Sequence, residues 1–527
     1  MDLNPVSASP GRMVAESLLA AMLVNLVLLS TSPGLPMAWD EGYAIRRAEG
    51  IPHGRWDYTT RIEGHPAFSG MLIAGGQALA PAWFAPLTAA RLGPILFFAL
   101  ACGGLYYRLG RDDSRLAAWA GVAALLLLPR LFAHAHFAAF DGPLTSAWVL
   151  AWVAFVDARL RPWAIPLLGI ALGIALATKI TGWLAPVSLL AWTALYRDRP
   201  GARALAIALP MALAVFYLLN PPLWHAPLQG LLTFFHLNLH RAANPDLNIS
   251  TQFLGRMYDL EDSLPWYNTL FWTAVTVPLG ILLLALVGLV DAVRHARSKP
   301  LRLLVVGHWL VLLVVRALPG VPPHDGERLF LPAFAILAVL AAIGCHRLRQ
   351  AIVSQAKCYA LLAVLYLAAA GNLVAYSPQW LSYYNLAIGG LRGAAALGME
   401  PTYYWDSLDR SVLDWLHAHT PADAKIHFAA PSWANLELMR RWGTLQRDYQ
   451  DHSPGQFAWH VVQRRPSAAS PAELWLFANA RPAFRKSLGT CWLLNTPLLD
   501  VYAYPDYLAA ERALARVTHP GGMATGD

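Results

Sequence analysis

Four short stretches put ionisable side chains where apolar runs end. In "MAWDEGYAIRRAEG", residues 37–50, Asp40 and Glu41 follow an apolar run and precede an Arg pair. A carboxylate held partly desolvated at the edge of a bilayer is available as a general base. Asp40 also reads as the N-cap of a helix beginning at Glu41, because Asp is a favoured cap. The two roles are compatible, since a cap position fixes its side chain. In "RIEGHPAFSG", residues 61–70, Glu63 and His65 flank a glycine. A carboxylate and an imidazole at that spacing can contribute to a divalent metal site, although two ligands do not define one. In "RLFAHAHFAAFDGPL", residues 130–144, His134, His136 and Asp141 fall in a short turn. Arg130 and the histidines suit interfacial anchoring. Asp141 gains nothing from snorkelling, so it must face water, find a partner or cap a helix. In "GVPPHDGERLFLPAF", residues 320–334, His324, Asp325, Glu327 and Arg328 crowd one turn. Arg328 carries the planar fork that grips phosphate. Lys179, in "ATKITG", is a second cation at the same depth.

These residues need elements to hold them. The chain has 527 residues, of which 57% are hydrophobic and 14% charged, with a mean hydropathy of +0.41. A soluble globular protein carries roughly 25% charged residues, so the composition indicates a mostly α-helical, polytopic membrane protein. Eleven apolar spans are expected, near 13–31, 86–108, 115–131, 138–157, 162–178, 181–196, 202–220, 268–291, 301–317, 328–346 and 356–376. Each is near the ~20 residues a helix needs to cross the hydrocarbon. In lipid, only a helix satisfies its own backbone over such a run.

Connections rich in Arg and Lys, such as "YRLGRDDSR", "YRDRPGAR" and "DAVRHARSKPLR", follow every second span, and the positive-inside rule assigns them to the cytoplasm. The N-terminus is then cytoplasmic. Loops 32–85 and 221–267 and everything after the last span are external (periplasmic), the membrane being read as the cell inner (plasma) membrane. The first span reads as an uncleaved anchor. "SGMLIAGGQALAP" suits a helix lying on the membrane surface. Residues 1–376 read as the membrane domain and 377–527 as a small external α/β domain. In the latter, "SLDRSVLDWLHAHTP" and "SWANLELMRRWG" read as helices, and "AKIHFAA", "FAWHVVQ" and "CWLLNTPLLDVYAY" as strands. The formal charge of +8 is dispersed in short loops, which excludes nucleic acid as a partner. Cys102, Cys345, Cys358 and Cys491 form no CxxC pair, and no disulfide framework is expected.

The acidic pair after the first span, the acid-x-His-Pro segment, the Asp opening the fourth span and the basic residue before a late span resemble the GT-C glycosyltransferases. They are most similar to glycosyltransferase family 39, the protein O-mannosyltransferase-like enzymes and their relatives the aminoarabinose transferases. The resemblance covers roughly residues 10–376. It implies a polyprenyl-phosphate-linked sugar as donor, a protein, lipid or glycan acceptor outside the membrane, and one-step transfer with inversion. It implies catalytic roles for Asp40, with Glu41 beside it, and for Asp141. It also implies an acid-x-His-Pro segment at Glu63, His65 and Pro66, in which some relatives use the equivalent of Glu63 to hold a metal. The chain departs from the family where "HPAFSG" places Gly70 at a position usually held by Lys. The phosphate contact then falls to Arg46, Arg47, Arg61, Lys179, Arg241, Arg256 and Arg328.

Two other readings share the composition. A transporter or flippase of lipid-linked sugars would carry polar residues deep in its spans, and these spans are almost purely apolar. A non-catalytic scaffold explains the spans but not the acidic clusters at external turns.

Overall fold

The computed structural model describes residues 10–56, 64–240, 250–404, 406–430, 432–450, 455–488 and 495–518. The first half contains α1 (Pro10–Thr31), α2 (Glu41–Gly50), α3 (Phe68–Leu79), α4 (Pro86–Asp112), α5 (Arg115–Leu126), α6 (Pro129–His136), α7 (Asp141–Ala158), α8 (Ile165–Leu176), α9 (Ala185–Leu195), α10 (Arg199–Leu218) and α11 (Pro227–Leu239). A short hairpin, β1 (Thr251–Phe253) and β2 (Arg256–Tyr258), leads into α12 (Asn268–Thr276), α13 (Leu279–Arg294), α14 (Pro300–Arg316), α15 (Leu331–Ala351) and α16 (Gln355–Ala375). Helix occupies every apolar segment expected from the sequence. Among the described residues, five helices are long and apolar enough to cross a membrane, six if the bent pair α5–α6 counts as one span. The other segments form shorter or interrupted helices. The chain is a multi-pass membrane protein.

Burial orders the bundle. The apolar window of α15 is 89% buried, whereas those of α1 and α16 are only 22% and 17% buried. The first is the central post and the other two offer their apolar faces to lipid. Against α15 lies α13, at a separation only glycine permits: a Cβ on Gly288 or Gly344 would strike the Leu340 or Leu284 carbonyl across the interface. Small residues let helices approach closely where lipid provides no hydrophobic drive. At the arginine-rich ends, Arg108 pairs with Asp157 at 3.0 Å, Arg159 with Asp198 at 2.7 Å and Arg302 with Asp113 at 2.7 Å. Several arginines that mark the loops therefore also tie helix ends together.

The last third adds α17 (Gly390–Ala396), α18 (Arg410–His419), β3 (Ile426–Phe428), α19 (Trp433–Arg441), β4 (Trp459–Gln463), α20 (Pro471–Asn479), β5 (Phe484–Ser487), β6 (Pro497–Ala503) and α21 (Tyr504–Thr518). The sheet runs β3-β4-β6-β5, with β3 and β4 parallel and the other pairs antiparallel. Apolar residues of β4, β6 and α19 (Val461, Leu499, Leu436) share one core with Ile45 and Ala48 of α2. Tyr383, Tyr384, Tyr403 and Tyr404 are buried in the core of the membrane helices instead. This region thus touches both sides of Asp40.

Candidate active site

Asp40 stands at the N-cap position of α2, but its side chain makes no capping bond. The backbone around it is held from outside. Asn435, on α19, accepts from the Gly42 N–H at 2.8 Å and donates to the Ala38 carbonyl at 2.9 Å. A side chain at Gly42 would occupy the space Asn435 fills. Ser432 donates to the Trp39 carbonyl at 2.8 Å, and the Trp39 N–H donates to the Tyr404 carbonyl at 3.0 Å.

Three local features bring the partners in. The α5–α6 pair bends by 77° at Pro129. A residue before proline is pushed out of the helical region, and Leu128 is extended there (φ −89°, ψ 100°). The bend carries Arg130 and His134 inward. Asp141 opens α7, and Lys179 sits in the extended turn before the short helix Ile180–Leu184. Asp325 adopts a left-handed conformation (φ 59°), as does Gly326 after it (φ 52°). Asp tolerates that region better than most residues. The turn aims Arg328 back at Asp40.

The result is a compact ionic cluster. Arg328 Nη1 lies 3.1 Å from Asp40 Oδ2 and 3.1 Å from Asp325 Oδ2, while its Nε lies 3.4 Å from Asp141 Oδ2. Lys179 Nζ donates to Asp141 Oδ1 at 2.7 Å, and Arg465 pairs with Asp325 at 3.1 Å. Tyr404 donates its hydroxyl to Asp40 Oδ2 at 2.7 Å, and the Arg328 guanidinium lies 4.4 Å from the centre of its ring. Asp40 keeps 25% of its side-chain surface open, against 3% for Asp141 and 7% for Asp325. Of the three acids, only Asp40 is placed to meet a molecule arriving from water.

Burial alone would raise the Asp325 carboxyl, but Arg328, His324 and Arg465 outweigh it and hold the group down at about 2. Burial pushes the Tyr404 hydroxyl well above its ordinary value; Arg328 opposes this and the Asp40 carboxylate adds to it, so the hydroxyl stays a donor. A second network interleaves with the first. Arg130 donates to Glu327 at 2.7 Å and to the Tyr383 carbonyl at 2.9 Å. Tyr403 donates to Glu327 at 3.1 Å and its oxygen lies 2.9 Å from His134 Nε2. Neighbours in sequence, Glu327 with Arg328 and Tyr403 with Tyr404, divide between the two networks.

Asp40, Asp141, Lys179 and Arg328, singled out in the sequence, therefore meet. Glu41 does not join them. It is fully buried, gripped by Arg91 at 2.8 and 2.7 Å and by the Ala38 and Ala138 N–H groups at 2.9 Å. Arg46 pairs on the surface with Glu437 at 2.8 Å, and Arg256 pairs with Asp262 at 2.6 Å. His65 stacks on Phe140 at 4.5 Å, and Arg47 lies 5.6 Å from the same ring. His136 lies 2.8 Å from Thr31 Oγ1 and is buried. Arg61, Glu63, Arg241 and Cys491 lie outside the described residues. Among the described residues, no group of three or more His, Cys, Asp or Glu is arranged to hold a metal. Tyr404 and Arg465 are not among the residues singled out from the sequence.

No protein-family model and no curated protein matches the chain. Solved structures do. ArnT from Cupriavidus metallidurans in the apo state aligns over 93% of this chain and 99% of its own length, at a TM-score of 0.54 and 17% identity. The same protein bound to undecaprenyl phosphate aligns over 95% and 99%, at 0.50 and 16%. At those identities the likeness is one of fold, and the fold is GT-C.

Proposed function

We propose that this GT-C-fold membrane protein is a glycosyltransferase that moves a sugar from a polyprenyl-phosphate donor to an external acceptor, with Asp40 as general base. The observation that carries this reading is the contact of Arg328 with Asp40 at 3.1 Å, a nearly buried guanidinium against the one partly open carboxylate of the cluster. The first suits a lipid-tethered phosphate and the second a water-borne nucleophile. The undecaprenyl phosphate bound to ArnT, the fold neighbour, supports a donor of this class.

The chemistry follows from charge. A hydroxyl or amine of the acceptor attacks the anomeric carbon. The bond from that carbon to the phosphate oxygen breaks, and its electron pair leaves with the polyprenyl phosphate. The acceptor's proton passes to Asp40. Attack opposite the leaving group in one step gives inversion. The leaving phosphate gains one negative charge, so cations fixed near it stabilise the transition state more than the ground state. Arg328 and Lys179 are in reach of the cluster, and Asp141 and Asp325 hold them in place. Glu63 and His65 as metal ligands are tested by adding a chelator to the release assay: a metal role predicts loss of release, restored by a divalent cation.

The test is the purified protein in detergent, supplied with polyprenyl-phosphate sugars and a mixture of envelope acceptors. Release of free polyprenyl phosphate is expected. Failure to release it from a panel of such donors would overturn the reading.

A further inference from the structure

Resting on that reading, we infer that Tyr404 is a positioning residue for the transfer: it holds the Asp40 carboxylate in place when Arg328 turns to the donor phosphate. Arg328 Nη1 is shared between Asp40 and Asp325 at 3.1 Å each. A phosphate entering beside Arg328 competes for the same donors. Once the guanidinium turns toward it, Asp40 loses its cation. Unheld, its side chain would be free to rotate.

Tyr404 supplies the hold from a different direction, and in three ways. Its hydroxyl donates to Asp40 Oδ2 at 2.7 Å. Its carbonyl accepts from the Trp39 N–H at 3.0 Å, which fixes the backbone just before Asp40. Its ring lies under the Arg328 guanidinium at 4.4 Å, a seat for the cation that survives loss of the carboxylate. Both contacts to the Asp40 carboxylate fall on Oδ2, so Oδ1 is the oxygen left to take the acceptor's proton. The residue is fully buried and packed between Tyr403 and Phe137, so it cannot swing away.

The discriminating variant is Tyr404→Phe, which keeps the ring and the backbone contact and removes only the hydroxyl. Its kcat is expected to fall about 10-fold, the cost of a charge-assisted hydrogen bond, while KM for the donor stays within about 2-fold because the Arg328 seat is intact. Tyr404→Ala should lose the seat as well and raise the donor KM.

A readout independent of turnover is carbodiimide labelling of Asp40 at a single pH, scored by peptide mass spectrometry. Freed of the Tyr404 hydroxyl, the carboxylate should label faster in Tyr404→Phe than in the wild type. Wild-type kcat, or wild-type labelling of Asp40 in a folded Tyr404→Phe protein, overturns the inference. If the wild-type protein releases no polyprenyl phosphate, the functional reading fails. The labelling rate still decides whether Tyr404 holds Asp40.

Discussion

Arg91 closes on Glu41 with two hydrogen bonds, at 2.8 and 2.7 Å, and both side chains are completely buried. The remaining donors of Arg91 go to the carbonyls of Ser32, Leu35 and Pro36. The pair therefore pins the segment between α1 and α2 to α4. Removing one partner of such a buried pair costs roughly 3–5 kcal/mol, because the other charge is left unpaired. Glu41→Ala should lower the melting temperature sharply. Glu41→Gln, which can still accept hydrogen bonds, should retain transfer activity in whatever fraction folds. A Glu41→Gln protein that folds normally but has lost turnover would move Glu41 into the chemistry.

Asp40 should behave in the opposite way. General-base catalysis contributes typically ~10²–10⁴-fold, so Asp40→Asn and Asp40→Ala should both lose about that much rate. The side chain makes no capping bond, so neither substitution should melt α2. Steady-state rates and thermal melts of the two variants check this together. Wild-type transfer by Asp40→Asn would exclude it as the base.

At Arg328 the fork matters. Arg328→Lys keeps the charge but loses bidentate geometry, and should raise the donor KM; Arg328→Ala should raise it further. Arg349, near the end of α15 and 5.8 Å from the Tyr359 ring, is the control, and Arg349→Ala should leave donor binding unchanged. Equal losses at both positions would indicate a folding effect.

Asp406 predicts a pH dependence of stability. It is fully buried, and neither carboxylate oxygen has a hydrogen-bond partner among the described residues. Burial, the largest influence, raises it from 3.8 to about 7. The folded protein therefore keeps a proton that the unfolded chain releases above about pH 4. Stability is unaffected below that, falls as the pH climbs from about 4 to about 7, and levels off above. The full loss is about 4 kcal/mol, at 1.36 kcal/mol per pKa unit. Melting curves of the wild type and of Asp406→Asn across pH 4–8 should diverge over that interval, the Asn variant lacking this loss. Parallel curves would show that the carboxyl titrates normally.

Topology is checked by reporter fusions. The arginine-rich loops place fusions after Arg199 and Arg297 in the cytoplasm and fusions after Asp246 and Asp423 outside. A cytoplasmic signal at Asp423 would put Asp40 and the sheet region on opposite sides, which the bonds from Asn435 to Gly42 and Ala38 forbid.

What the sequence disclosed was local. Apolar runs announce helices because the backbone in lipid has no other solution, and the acids at their ends stand out because the runs themselves are almost free of charge. The difference between Asp40 and Glu41 was not legible. One step around the start of α2 sends one carboxylate to Arg328 and the other to Arg91, and that depends on where α4 passes. Tyr404 was not legible either. Its meaning comes from a contact across 364 residues, in a stretch, "PTYYWDSLD", whose aromatics read as ordinary packing. Asp325 was visible as one of a crowd, but only the left-handed backbone shows why it stands where it does.

The order in which these residues occur has a consequence for biogenesis. Asp40 is synthesised early, Asp141 and Lys179 follow, Asp325 and Arg328 come after most of the bundle, and Tyr404 and Arg465 emerge only when every membrane helix has been made. A ribosome-bound intermediate therefore has neither the Asp40–Tyr404 bond nor the Arg465–Asp325 pair. These two long-range contacts can form only in a late event, when the final third docks on the finished bundle.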